Sequence, residues 1–208
     1  MPLNTVRSVI DTGTYFTANN GATGVATAAA PTAYSDTAPF FTILNTNANN
    51  TGRSIYLDYI RGYCTVAGTA GVAVILKMEL DRITPTGGTA LTSQATNPND
   101  PYVTSGAVIR LLPTGIAATS SMKLLIGNLT VVPTQAAVFT VGTEFNLKFG
   151  TLEGVGSPQW LVAQQAGRYF NALPPVVINP GACLQVPFIL TSQSAASTWA
   201  FEMGWVEV

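Results

Sequence analysis

The sequence predicts an all-β protein, an antiparallel two-sheet sandwich of the jelly-roll type with an extended N-terminal arm. Roughly eight predicted strands, several with apolar residues at every second position, are separated by turns rich in Gly, Pro, Asn and Ser. No convincing long helix interrupts the series, so the sheets must cover each other. An immunoglobulin-like sandwich is the second choice, because such domains usually run to about 100 residues and this chain has 208.

One domain follows from the size and hydrophobicity of the chain. Its length suits a single sandwich, and its hydrophobic residues, 47% of the total, suffice for a full core. We place that domain over residues 40–208. Residues 1–39 are predicted to be an arm or lead-in, either extended over a neighbouring subunit or disordered, in which residues 6–10 would add one strand.

The chain carries unusually little charge. Lys, Arg, Asp and Glu make up 9% of its residues, against about 25% in ordinary soluble proteins, and the net charge is −1. Such a surface is poorly protected against association, so we expect copies of the chain or other proteins to cover it. No Lys/Arg cluster is present to neutralise phosphates, and no apolar run reaches the roughly 20 residues of a membrane-spanning helix. We therefore expect neither nucleic acid nor a membrane as a partner.

The two cysteines, Cys64 and Cys183, fall on different predicted strands. The N-terminus lacks the basic and apolar regions of a secretory signal, so we expect synthesis in a reducing cytoplasm and two buried free thiols. A disulfide between them stays open at this point, because sequence spacing does not fix the distance between two Cα atoms.

Strands are predicted wherever apolar and other residues alternate. In residues 55–60, large side chains occupy both faces, with Ile55, Leu57 and Tyr59 on the same one, so we expect a strand covered on both sides. Residues 72–81 show the most regular alternation and predict a half-buried strand. Further strands are predicted over residues 40–45, 108–112, 122–132 and 139–149.

Two segments between these strands are harder to assign. Residues 84–106 are too long for a hairpin turn, and we predict a projecting loop at one end of the sandwich, used for lattice contact or partner binding. Residues 160–170 fit either a few helical turns or a strand.

The last 35 residues, 174–208, predict a closing hairpin. A turn is expected at residues 179–181, because Pro180 fixes its own φ and Gly181 accepts a positive φ. Beyond it, residues 184–190 and 199–205 alternate bulky apolar side chains with others, and a short polar linker joins them. We expect these segments to pair as antiparallel neighbours with one buried face.

The sequence offers little for catalysis. Histidine does not occur, which removes Ser-His-Asp and Cys-His catalysis and zinc sites with imidazole ligands. We predict no catalytic, cofactor-binding or metal-binding residues and no enzyme activity. The nearest acid pair for a hydrolase is Glu79 and Asp81, which we expect on a solvated strand face beside Lys77 and Arg82.

Two further groups of residues have side chains that could form a site. Asn97, Asn99 and Asp100 offer oxygen ligands within one loop, but turn capping explains them better than calcium does. Trp199 and Trp205 alternate with small residues and are expected in the core. The aromatic residues in or near loops that would suit a sugar-binding platform are Trp160, Tyr169, Phe170 and Tyr102.

Four segments resemble small virion proteins of tailed bacteriophages, which look like jelly-roll head or decoration proteins. The segments are IYLDYIR at residues 55–61, CTVAGT at 64–69, PPVVINPG at 174–181 and FEMGW at 201–205. The resemblance lies in strands and turns and covers only part of the chain. No functional residue is carried over from it, because such proteins act through whole surfaces.

The resemblance implies a structural part of a phage particle, namely a capsid decoration or cement protein or a minor head protein. It would be made in the host cytoplasm and located in the virion. Its partners would be copies of itself, in a homotrimer, and the major capsid protein or other virion proteins. The alternative is a tail- or fibre-associated jelly roll that binds a receptor or glycan, and a two-carboxylate hydrolase stands third.

Overall fold

Two β-sheets packed face to face make up the computed structural model, which describes residues 14–20, 28–29, 37–47, 52–68, 73–92, 94–95, 103–116, 123–131, 141–150, 168–191 and 197–208. Within these ranges the chain forms strands and no helix. The sheets enclose an apolar core between them, so the predicted all-β, two-sheet sandwich is confirmed.

The strands, in chain order, are β1 (Tyr15–Asn19), β2 (Ala28–Ala29), β3 (Phe41–Asn45), β4 (Ile55–Val66), β5 (Ala73–Asp81), β6 (Thr89–Leu91), β7 (Gln94–Ala95), β8 (Ala107–Leu111), β9 (Lys123–Val131), β10 (Glu144–Phe149), β11 (Arg168–Leu173), β12 (Val177–Ile178), β13 (Cys183–Val186), β14 (Phe188–Thr191) and β15 (Thr198–Glu207). The first sheet runs β11-β10-β4-β15-β1-β7, with β12 beside β4 and β2 beside β15. The second runs β14-β5-β13-β3-β8-β6, with β9 also beside β5. Among these strands all pairs are antiparallel except β10 and β11, which run parallel.

Large side chains at alternate strand positions fill the core between the sheets. The inward side chains of β15, all buried, are Trp199, Phe201, Met203 and Trp205. The ring of Phe201 lies 5.6 Å from that of Phe41 in the second sheet and 5.7 Å from that of Phe145 in the first, measured between centroids. Each such side chain contributes roughly 1.5–3 kcal/mol through its burial. Aromatic contacts on β15 therefore join the two sheets directly.

The prediction of a closing hairpin is wrong. β13 pairs with β3 and β5 in the second sheet, whereas β15 pairs with β1 and β4 in the first. The two segments belong to opposite sheets and share no ladder of hydrogen bonds. A period-2 pattern shows only that one face of a strand is buried, and strands of either sheet produce it.

The turn predicted at residues 179–181 is confirmed. Gly181 has a φ of 76°, the left-handed value that glycine adopts without strain. Buried Asn45 anchors the turn, because its backbone carbonyl accepts the Gly181 amide proton at 2.9 Å. Its side-chain amide donates to the carbonyl of Ile178 at 2.8 Å. The turn is thereby fixed to the end of β3.

The N-terminal segment differs from the predicted arm over residues 1–39. β1 is part of the first sheet and pairs with β15. Phe16 is fully buried, and its ring stacks on that of Trp205 with centroids 6.1 Å apart. The sandwich therefore begins before residue 40. Residues 1–13, including the predicted strand at residues 6–10, lie outside the described residues.

The segment predicted as a projecting loop, residues 84–106, gives a short strand to each sheet. β6 pairs with β8 in the second sheet, and β7 pairs with β1 in the first. Gly87 and Gly88, with φ values of 68° and 66°, turn the chain into β6. Strands of two or three residues carry too little alternation to be recognised in a sequence.

The other predicted strands are confirmed, as β3, β5, β8 and β9 with small shifts of their ends and as β10 over its second half, because residues 141–143 form a turn before Glu144. The segment at residues 160–170 ends in β11, and its earlier part lies outside the described residues. β4 extends to Val66 and is not covered on both sides, because Tyr56 and Tyr63 are exposed. Its outward face is therefore a surface of the protein.

Candidate functional site

The predicted acid pair, Glu79 and Asp81, lies in the middle of the second sheet. Both residues are buried, with 2% and 3% exposure, so the expectation of a solvated face is wrong. β5 has β9 and β13 as neighbours, and β13 places Gln185 beside Glu79 and Cys183 beside Asp81. Asp81 also accepts the amide proton of Arg82 at 2.7 Å. The structure thus places this pair inside the protein.

Most of the other candidate residues fall outside the described ranges, namely Asn97, Asn99, Asp100, Tyr102 and Trp160. Tyr169 and Phe170 belong to β11, of which the backbone pairing alone is described. Trp199 and Trp205 are fully buried, as predicted.

Cys64 and Cys183 are free and buried, as expected. Burial raises the pKa of the Cys64 thiol to about 11. Burial, with a smaller contribution from the charge of Asp81, raises the pKa of Cys183 to about 12. Because the thiolate is the reactive form of cysteine, neither side chain is suited to act as a nucleophile at neutral pH.

Among the described residues, the outward face of the first sheet, which we call the tyrosine face, combines tyrosine rings with charged groups. Along β1, β4, β10 and β15 buried and more exposed residues alternate, and the outward set combines tyrosines with charged residues. The set comprises Tyr15, Tyr56, Asp58, Tyr59, Arg61, Tyr63, Glu144, Lys148 and Glu202. The whole chain has 7 tyrosines, 9 basic and 10 acidic residues, so this face concentrates both kinds.

Two tyrosine hydroxyls on this face donate hydrogen bonds to carboxylates. Tyr15 Oη lies 2.8 Å from Asp58 Oδ2, and Tyr59 Oη lies 2.6 Å from Glu202 Oε1. The first bond links β1 to β4, and the second links β4 to β15. Hydrogen bonds to an ionised acceptor are stronger than neutral ones, so both rings are held in fixed positions.

Two ion pairs extend the network to β10. Arg61 Nη2 lies 3.3 Å from Glu144 Oε1, and Lys148 Nζ lies 3.7 Å from Asp58 Oδ1. The side chains of Arg61 and Lys148 remain about half exposed, so each pair contributes at most about 1 kcal/mol. The ion pairs order the charged groups on the tyrosine face and add little stability.

Both bonded tyrosines have raised pKa values. For Tyr15, burial is the largest cause, followed by the hydrogen bond to Asp58 and the negative charge of that carboxylate. For Tyr59, burial again comes first, followed by the hydrogen bond to Glu202 and its charge. Because the pKa of each phenol lies well above its usual range, both hydroxyls keep their protons and remain donors.

A β-bulge and a glycine shape the centre of the face. Tyr59 pairs with Gly204 and Leu57 with Trp205, so Asp58 is an extra residue in β4. The bulge brings Asp58 and Tyr59, which are consecutive, to the same face. A Cβ at Gly204 would collide with the Tyr59 ring and with the Tyr15 hydroxyl, so the absent side chain leaves room for both.

A separate polar contact ties the sheets together at the end of β15. Glu207 is buried and accepts hydrogen bonds from the hydroxyl of Ser105, the amide of Gly106 at 3.1 Å and the indole N–H of Trp205 at 3.2 Å. Ser105 and Gly106 lead into β8 of the second sheet. This carboxylate therefore serves the fold, because its partners are groups of the protein itself.

Sequence reasoning missed the tyrosine face. Strict alternation puts Tyr59 on the buried side with Ile55 and Leu57, because a bulge cannot be seen in an alternating pattern. The available signal was the concentration of tyrosine and charge within residues 56–63.

Metal sites, membrane spans and related proteins also bear on function. The described ranges contain no group of three or more His, Cys, Asp and Glu side chains that could hold a metal ion. In the same ranges no helix is long and apolar enough to cross a membrane.

The chain matches no protein-family model, no curated protein and no solved structure. Any function assigned to it therefore rests on its fold and its surfaces.

Proposed function

We propose that the protein is a structural component of a bacteriophage virion, a capsid decoration or cement protein or a minor head protein. It acts through contacts between subunits and has no catalytic role. Its partners are copies of itself, in a homotrimer, and the major capsid protein or other virion proteins.

The observation that carries this proposal is that the described carboxylates are buried or bonded to other groups of the protein. The described ranges contain six of them, and each is buried or bonded to a neighbouring group: Asp58, Glu79, Asp81, Glu144, Glu202 and Glu207. The few acidic groups thus order the sandwich, and with 9% charged residues the chain has few charges left for its surface. A surface of this kind is suited to burial against other subunits.

The strand order supports a jelly roll. The first sheet contains the run β10-β4-β15-β1, and the second contains β9-β5-β13-β3. Along the chain, these eight strands change sheet at every connection except the one from β5 to β9. Such repeated crossing is how two Greek keys wind into a double-sheet jelly roll, an architecture found among capsid proteins.

The assembly is tested by measuring the molar mass of the full chain by light scattering. We expect about three times the mass of one chain, which is 21.7 kDa. A truncation that removes residues 1–13 tests the arm and leaves β1 in place. If the arm makes the inter-subunit contacts, the truncated chain dissociates while its circular dichroism is unchanged; a full chain that is monomeric at every concentration contradicts the proposal.

A further inference from the structure

We propose that the tyrosine face binds a neutral oligosaccharide, which lies along β4 and contacts Tyr56, Arg61 and Tyr63. This inference does not depend on the proposed virion role, because it rests on the geometry of the first sheet alone.

Exposed rings supply the stacking surfaces. Tyr56 is 44% exposed and Tyr63 is 37% exposed, and both lie on the outward side of β4. They lie seven positions apart in β4, which corresponds to roughly 20 Å along a strand. Tyrosine combines an apolar ring with a polar hydroxyl, and a sugar ring likewise combines C–H faces with hydroxyl edges. Two such rings at this spacing fit a ligand of several linked units better than a single small molecule.

Polar groups between the two rings supply hydrogen bonds. Arg61 uses Nη2 in its ion pair with Glu144, and its half-exposed guanidinium carries further N–H donors. Lys148 is also half exposed and adds donors, while Asp58 and Glu144 add acceptors. Sugar hydroxyls both donate and accept, so a surface with mixed donors and acceptors matches them.

The balance of charge selects a neutral ligand. The tyrosine face holds two cations, Arg61 and Lys148, and three carboxylates, Asp58, Glu144 and Glu202, and each cation lies next to a carboxylate. A polyanion such as nucleic acid requires an excess of cations to neutralise its phosphates. A second copy of the chain is a weaker candidate, because the buried centre of a protein interface is depleted of charged residues.

The face is organised before any ligand binds. The hydroxyls of Tyr15 and Tyr59 are held by carboxylates, and the Tyr59 ring and the Tyr15 hydroxyl occupy the space that Gly204 leaves open. Groups that are already ordered lose little conformational entropy on binding. Tyr15 and Tyr59 therefore act as positioning residues beneath the contact residues.

The test is an array of neutral oligosaccharides that includes maltohexaose, cellohexaose and chitohexaose, with heparin as the polyanion, followed by calorimetric titration of the strongest neutral ligand. We expect a neutral saccharide to bind the full chain and heparin not to bind. Tyr56→Ala, Tyr63→Ala and Arg61→Ala should each weaken binding by about tenfold, whereas Tyr56→Phe should retain it. Arg82→Ala, at an exposed arginine beside the end of β5, is the matched control and should bind as the unmodified chain does.

Three results would overturn the inference. The first is that none of the neutral saccharides on the array binds. The second is binding that the Tyr56→Ala, Tyr63→Ala and Arg61→Ala variants leave unchanged. The third is a fall in the molar mass of the chain when Tyr56 and Tyr63 are replaced by alanine, which would make the face an interface between copies. All variants alter exposed side chains, so an unchanged melting temperature serves as the check on folding.

Discussion

Glu207 is one of the described residues through which polar contacts join the two sheets. Its carboxylate is buried and accepts from the Ser105 hydroxyl, the Gly106 amide and the Trp205 indole. Removal of a buried acceptor costs roughly 1–3 kcal/mol for each donor left without a partner. The contribution of this residue should therefore far exceed that of a surface carboxylate.

We predict that Glu207→Ala lowers the free energy of unfolding by about 3 kcal/mol or more. Glu144→Ala is the matched control, because it removes a partly exposed carboxylate whose ion-pair partner Arg61 is half exposed, and it should cost about 1 kcal/mol, less than Glu207→Ala. Urea denaturation of both variants measures the difference. Equal losses in the two variants would contradict the assigned role of Glu207.

Tyr15 and Tyr59 predict how stability changes at alkaline pH. Their pKa values are raised in the folded protein, so the folded state keeps protons that the unfolded state releases above about pH 10. The stability contributed by each phenol is present below pH 10 and is lost as the pH rises toward the folded-state pKa. Cys64 and Cys183, whose pKa values are also raised, add to the same decline from lower pH.

We predict that the double variant Tyr15→Phe, Tyr59→Phe loses stability less steeply with pH than the unmodified chain does. At pH 8 both states hold the tyrosine protons, so the variant differs only by its missing hydrogen bonds. Urea unfolding at several values between about pH 8 and pH 11 gives the two slopes. If the free energy of unfolding falls with the same slope in both proteins over that interval, these hydroxyls do not form the hydrogen bonds seen in the structure.

The site residues were partly predictable from the sequence. Burial of Trp199 and Trp205 followed from their alternation with small residues. Burial of Glu79 and Asp81 did not, because a period-2 pattern cannot reveal that the outward face of a central strand is also covered. Asp81 and Glu79 look solvated in sequence only because charged residues are seldom buried.

At the level of elements, β4 and β15 determine the shape of the tyrosine face. Gly204 in β15 lies opposite Tyr59, and its missing side chain leaves room for the Tyr59 ring and the Tyr15 hydroxyl. Glycine normally weakens a strand, so alanine at such a position ordinarily stabilises by roughly 0.5–1 kcal/mol. At Gly204 the collisions with Tyr59 and Tyr15 reverse this, so alanine is expected to destabilise the protein.

We predict that Gly204→Ala destabilises the protein by roughly 1–3 kcal/mol, because the Tyr59 ring and the Tyr15 hydroxyl must move and their bonds to Glu202 and Asp58 weaken. In a Tyr59→Ala background the same substitution should cost less, since the colliding ring is gone. Thermal or urea unfolding of the four proteins completes a double-mutant cycle. Additive effects would mean that the ring of Tyr59 does not lie over Gly204.

The elements that sequence reasoning found include those with regular alternation, such as β5 and β10. It failed to identify which strands pair, because periodicity reports a buried face and not the sheet to which a strand belongs. The segments of β13 and β15 resemble hairpin partners in sequence for this reason. The bulge at Asp58 was also invisible, since one extra residue reverses the apparent faces of the strand beyond it.

At the scale of the whole molecule, the low charge and the sandwich architecture both fit the structural role proposed above. A chain with 9% charged residues has few groups that keep copies apart, and its described carboxylates already serve internal contacts. The amino-acid composition alone predicts the low charge. The tyrosine face is the exception, because its ordered charges and exposed rings are suited to a ligand and not to subunit packing.

The measurement that tests the structural role most directly is binding of the purified chain to phage heads prepared without it. Heads and chain are mixed, the heads are sedimented, and the bound copies per head are counted as the chain is titrated. The virion proposal predicts saturation at a fixed number of copies that matches the symmetry of the head, with each bound unit a trimer. Binding no greater than that of an unrelated protein of similar size, or binding that rises without saturation, would contradict it.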